Sequence, residues 1–183
     1  MNLISRIMNH ATKNIFLIGF MGAGKTSVGK MLAKKLQLRF CDLDATIEKE
    51  LGMKMPEIFS THGEGFFRDA ESEALRSVAE RERQAIATGG GVVLREENWE
   101  VMQREGVTIY LKAPAVVLYN RVKHNTSRPL LQVENPFDKI QELLSKRIPL
   151  YEKADLIVDT ENLSPQKVAQ EIIEKLSAFN FYC

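Results

Sequence analysis

Near the start of the chain two glycines stand five residues apart, the second followed by lysine and threonine, in Gly19-Phe20-Met21-Gly22-Ala23-Gly24-Lys25-Thr26. Glycine permits backbone angles that turn consecutive N–H groups inward, and a helix N-terminus adds partial positive charge, so such a stretch suits a polyphosphate. Lys25 would reach the β- and γ-phosphates of a nucleoside triphosphate, and the Thr26 hydroxyl would ligate Mg²⁺. Gly22, Ala23, Gly24, Lys25, Thr26 and Ser27 are therefore candidate ATP-binding residues. Asp42 is a candidate partner of the metal through water, because Mg²⁺ keeps several of its waters. A plain glycine turn between a strand and a helix matches the same bare pattern, so the flanking elements decide.

Phosphoryl transfer also needs charge stabilisation at the transferring group and an acceptor held in line. Asp44 could orient or deprotonate such an acceptor; it could also cap the helix running through Ile47 and Leu51, and one carboxylate can do both. Arg68 and Glu71 are three apart and can pair on a helix surface, for which a solvated ion pair is the ordinary reading. Gly89-Gly90-Gly91 suits the close approach of a backbone to a ligand, or a tight turn. Arg128, in a stretch without periodicity, could swing onto the phosphates or be an ordinary exposed arginine.

The elements that must position these residues are legible. Asn14-Ile15-Phe16-Leu17-Ile18 is a short apolar run rich in β-formers, and Val28, Met31, Leu32 and Leu36 follow at helical spacing, giving the strand, glycine turn and helix the motif requires. Leu38 to Cys41, Gln84 to Thr88, Gly106 to Leu111 and Asp155 to Val158 read as further strands. Between them lie helical patterns: Ala70, Ala74, Leu75 and Val78; Arg95 to Arg104; Val117 and Leu118 behind Pro114; Ile140, Leu143 and Leu144 behind Pro136; and Val168, Ile172 and Leu176 behind Ser164-Pro165. Alternating strands and helices predict an α/β fold, with a five-stranded, mostly parallel sheet covered by helices on both faces. Residues 123–136 lose periodicity and read as a mobile lid that would exclude water. Residues 1–13 read as an N-terminal extension, broken by Ser5 and Arg6 and lacking a cleavage pattern.

With 183 residues, 44% hydrophobic and 27% charged, the chain suits a single soluble domain spanning 1–183, with neither disorder nor a membrane span favoured. A net charge of +1 argues against a nucleic-acid binder built on a broad basic surface. Cys41 and Cys183 are too few for a disulfide framework or a zinc site, which places the protein in a reducing, cytoplasmic compartment. A monomer is expected.

Six blocks stand out in order and spacing: the loop Gly19 to Thr26, Asp42-x-Asp44, Gly63-Glu64-x-x-Phe67-Arg68-x-x-Glu71, Thr88-Gly89-Gly90-Gly91, Arg128-Pro129-Leu130-Leu131 and Arg147-x-x-x-Tyr151. In these blocks the chain resembles the shikimate kinase family. The resemblance implies ATP- and Mg²⁺-dependent phosphorylation of the 3-hydroxyl of shikimate, giving shikimate 3-phosphate and ADP on the route to chorismate. It implies that Asp44 binds the ring hydroxyls, that Arg68 and Arg147 clamp the substrate carboxylate, and that Gly90 offers a backbone contact. By the same resemblance Glu71 holds Arg68, Arg128 is the lid arginine and Arg121 packs on adenine. Two planar guanidinium groups suit a small carboxylate substrate. Residues 1–13 have no counterpart in the family pattern, and Met53-Lys54-Met55-Pro56 is less typical of it. A gluconate kinase would share the cradle but not Gly89 to Gly91 beside two arginines. A GTPase switch would carry an Asn-Lys-x-Asp motif, and none occurs.

Overall fold

The computed structural model describes residues 14–123 and 133–178. The N-terminal extension, Cys183, Arg128 and most of the lid segment lie outside the described residues. Five strands are present: β1 Asn14–Ile18, β2 Arg39–Asp42, β3 Gln84–Ala87, β4 Gly106–Lys112 and β5 Leu156–Asp159. The α-helices among the described residues are α1 Lys25–Leu36, α2 Leu43–Leu51, α3 Met55–Ala79, α4 Glu96–Glu105, α5 Ala115–Val122, α6 Pro136–Tyr151 and α7 Pro165–Ala178.

The strands form one sheet in the order β2-β3-β1-β4-β5, every neighbouring pair parallel. Each connection between successive parallel strands must cross back along the sheet, and helices make those crossings. All residues of β1 and of β3 are buried, which requires cover on both faces of the sheet. On β1, Phe16 and Leu17 are fully buried, and Trp99 of α4 and Leu32 of α1 join the same core. Gly29 lets α1 sit close: a methyl there would come within 2.7 Å of the Phe40 ring and 3.2 Å of Leu17. Val168, Ile172 and Leu176 recur four apart on α7 and are buried, as their spacing predicts.

Parallel strands place all their carboxyl ends along one edge, which is where open α/β sheets bind ligands. The loop after β1, Asp42 and Asp44 after β2, Thr88 to Gly91 after β3 and Thr160 after β5 all fall there. The helix following β2 differs from expectation at its start. Asp42, not Asp44, is the N-cap; its Oδ1 accepts from the Ala45 N–H at 3.3 Å, and the helix begins at Leu43. Asp44 sits in the first turn, so capping does not occupy it. Gly52 ends α2 in the left-handed region, φ 64°, with its N–H bonded to Glu48 O.

The helix α3 contains a break at Gly63 (φ 79°, ψ 175°), so it is two helices end to end. The first carries Met55 and Phe59, and the second carries Arg68 and Glu71. Among the described residues, no helix is long and apolar enough to cross a membrane.

Candidate active site

Gly19 (φ 139°), Gly22 (φ 81°) and Gly24 (φ 94°) all take positive φ, and together they curl the loop after β1 in a way that other residues resist. The helix that follows has no side-chain cap and no acidic residue in its first turn. Its N-terminal N–H groups and dipole are thereby left for an anion. Lys25 Nζ donates to Gly19 O at 2.7 Å and to Phe20 O at 3.0 Å, holding the ammonium across the mouth of the loop.

The Thr26 hydroxyl donates to Asp42 Oδ2 at 2.8 Å. Spending the hydroxyl proton on the carboxylate leaves the Thr26 oxygen lone pairs for a hard cation, so the pair fits Mg²⁺. Among the described residues, no group of three or more His, Cys, Asp or Glu side chains could hold a metal on its own. A site of one hydroxyl and one carboxylate suits a cation that arrives with nucleotide phosphates and water.

A cavity of about 460 Å³ opens above this loop. Gly22 to Val28, Asp42, Asp44, Arg121 and Thr160 line it. Arg121 Nη1 donates to Gly22 O at 3.2 Å and to Thr160 Oγ1 at 3.3 Å, and Nη2 to Thr160 O at 2.8 Å. The side chain thus ties the phosphate loop to the turn after β5 at the wall of the cavity. Ser27 also lines it.

A second, smaller cavity of about 60 Å³ adjoins the first. Met21, Asp44 and Gly90 belong to both linings, so Asp44 stands where the cavities meet. The smaller one is walled by Arg68, Glu71, Arg147, Phe67 and the three glycines at 89–91. Size and chemistry divide the site into a large polar chamber at a phosphate loop and a small one with two guanidinium groups.

The pair of Arg68 and Glu71 is not the ordinary solvated one but is buried, with Glu71 holding Arg68 as the resemblance implies: Arg68 is 8% and Glu71 0% exposed. Arg68 Nη1 donates to Glu71 Oε2 at 2.6 Å, and Nη2 donates to Glu64 Oε1 at 2.9 Å. The tertiary fold turns this face of α3 onto the loop after β3, which helical spacing alone does not reveal. Burial opposes the charge on Arg68, but Glu71 and Glu64 beside it hold its guanidinium above the usual arginine value. Burial pushes the Glu71 carboxyl up, opposed by Arg68.

Glycine at 89 and 91 makes room for these side chains. A β-carbon on Gly89 would fall on Glu71 Oε1 and within 2.9 Å of Asp44 Oδ1, and one on Gly91 would fall on the Arg68 guanidinium. Arg147, 5% exposed, donates from Nη1 to Gly90 O at 3.3 Å, with its guanidinium 5.6 Å from the centre of the Phe20 ring. The fold therefore brings Lys25, Thr26, Asp42, Asp44, Arg68, Gly90, Arg121 and Arg147 to one edge of the sheet. Glu64 and Phe20 stand within the six blocks without an assigned role, and Thr160 stands in none of them. Thr160 was within reach of the rule that ligands gather at strand ends, since it directly follows β5.

Relatives agree with this architecture. The shikimate kinase family model matches residues 21–177. A shikimate kinase of Thermodesulfovibrio yellowstonii is 56% identical over 89% of this chain and 94% of its own. One from Caldicellulosiruptor bescii is 42% identical over 88% of this chain and 94% of its own. Among solved structures, shikimate kinase from Acinetobacter baumannii in complex with shikimate superposes with a TM-score of 0.90 at 38% identity, covering 92% of this chain and 95% of that one. A gluconokinase from Sinorhizobium meliloti shares the fold at a TM-score of 0.58 and only 19% identity, covering 91% and 92% of the respective chains. With a family match spanning most of its length and relatives this similar, the chain belongs to the shikimate kinase family.

Proposed function

We infer that this chain transfers the γ-phosphoryl group of ATP to the 3-hydroxyl of shikimate, giving shikimate 3-phosphate and ADP in aromatic amino acid biosynthesis. The observation that carries the reading is the pairing of the phosphate-loop cavity with a small cavity holding Arg68 and Arg147, with Asp44 between them. In the larger cavity the loop N–H groups and Lys25 hold the triphosphate, and the rim with Arg121 receives the nucleoside. In the smaller one the guanidinium groups receive a carboxylate, leaving the ring hydroxyls toward Asp44.

Thr26 through its hydroxyl oxygen, and Asp42 through water, would hold Mg²⁺, which would supply neutralising charge at the phosphates. The loose transition state of phosphoryl transfer asks little of a base early on, so Asp44 chiefly aligns the acceptor hydroxyl and takes its proton late. Gly90 offers a backbone contact to the acceptor, and Arg128, outside the described residues, is the further cation assigned to the β- and γ-phosphates. The protein is read as a cytoplasmic monomer: two cysteines suit a reducing compartment, and a net charge of +1 suits no broad anionic partner.

A coupled ADP-release assay across shikimate, gluconate and water tests the reading. ADP should form only with shikimate and Mg²⁺; equal ATP turnover in water would overturn it. Arg147→Ala is expected to weaken shikimate binding by about 2–5 kcal/mol, the loss seen when one partner of a buried charge pair is removed, with nucleotide affinity nearly unchanged. Isothermal titration with each ligand checks this, and equal losses for both would place Arg147 in the wrong chamber.

A further inference from the structure

Arg147 and Tyr151 lie four apart on α6, hence on one face of the helix. Both side chains reach the same atom. Tyr151 donates its phenolic O–H to Gly90 O at 2.5 Å, and Arg147 Nη1 donates to that oxygen at 3.3 Å. Both lone pairs of this carbonyl are thereby occupied, which fixes the plane of the peptide joining Gly90 to Gly91. Tyr151 is 0% exposed and stacks on Tyr110, ring centres 5.0 Å apart, so the phenol has no room to turn elsewhere.

Building on the function inferred above, we propose that Tyr151 is a positioning residue for the acceptor substrate, its hydroxyl locking Gly90 and, through the shared carbonyl, the Arg147 guanidinium. The phenol does not line the small cavity, whereas Gly90 and Arg147 do. It acts through them. Without its proton, Gly90 O keeps only the longer bond from Arg147, and both groups gain freedom that shikimate binding must then remove. The placement of Pro149 within α6 fits this division of labour, since it is on the exposed side of the helix and leaves the face of Arg147 and Tyr151 uninterrupted.

Tyr151→Phe keeps the ring and removes only the hydroxyl. Steady-state kinetics should show KM for shikimate raised about tenfold, as for loss of one well-made buried hydrogen bond, with KM for ATP unchanged. Tyr110→Phe, which alters the other ring of the stack, is the comparator and should leave the shikimate KM as it is. In the double variant Arg147→Ala/Tyr151→Phe, the second change should add little, because both act through Gly90.

An unchanged shikimate KM in Tyr151→Phe overturns the proposal, as does an equal rise in both KM values, an equal effect of Tyr110→Phe, or failure of Tyr151→Phe to fold. Absence of shikimate-dependent ADP release from the unaltered protein would instead overturn the functional reading itself, and the control arm of the same assay reads it separately.

Discussion

Asp44→Asn is expected to lower shikimate-dependent turnover by about 10²- to 10⁴-fold while leaving the fold intact, the range associated with loss of a positioned acid–base group. The side chain lies in the first turn of α2, at the junction of both cavities, and Asp42 does the capping. Asparagine keeps the shape but removes the charge and replaces one acceptor oxygen with a donor. It loses one of its two acceptor oxygens and can no longer take up the hydroxyl proton. Stability should be unchanged or slightly improved, because Asp44 faces the buried carboxylate of Glu71 and its charge works against that group. Stopped-time assays at saturating ATP and shikimate, with thermal unfolding in parallel, check both halves. Turnover within threefold of the unaltered protein would remove Asp44 from the chemistry, and a collapse in melting temperature would recast it as structural.

Much of this site was legible in residue order because its donor half is local. A strand, a glycine turn and a helix lie consecutively in sequence, so Gly19 to Thr26 announces its own geometry. Most of the strands were found for the same reason, as short apolar runs bounded by turn residues; β2, with Arg39 and Asp42 at its ends, was legible through its place after α1. The acceptor half is assembled from α3, the loop after β3 and α6, segments that only the tertiary fold brings together. Spacing told that Arg68 and Glu71 could pair, but not that Gly89 and Gly91 clear space for them and draw them out of solvent. Likewise residue order offered Asp44 as the cap of α2, and only the Ala45 N–H at Asp42 Oδ1 shows that the neighbouring carboxylate does the capping. Here the family resemblance supplied what periodicity could not, naming Arg68, Gly90 and Arg147 together before any contact among them was visible.

The buried pair at Arg68 leads to the largest expected loss of stability, in Glu71→Ala. Glu71 has no exposure, and its partner oxygen lies 2.6 Å from Arg68 Nη1, so removal leaves a guanidinium in the wall of a small cavity with only the half-exposed Glu64 to answer it. Breaking a buried pair from one side costs about 3–5 kcal/mol, and the remaining contact to Glu64 puts this case near about 3 kcal/mol. Glu71→Gln should lose less. Its amide oxygen still accepts from Arg68, and its amide NH₂ takes the place beside Gly89 where Glu71 Oε1 has no partner among the described residues.

The same contrast carries a pH signature. Burial raises the folded-state pKa of Glu71 above its ordinary value of 4.5, so the folded protein holds this proton more tightly than the unfolded chain. That contribution to stability is complete below about pH 4.5 and is lost as pH rises through the raised folded value. Glu71→Gln has no such proton to lose. Urea unfolding at a series of pH values from 4 upward should therefore show the difference between the unaltered protein and Glu71→Gln changing steadily across that window. A constant difference would mean that Glu71 titrates alike folded and unfolded, and that the Arg68 guanidinium offsets the effect of burial.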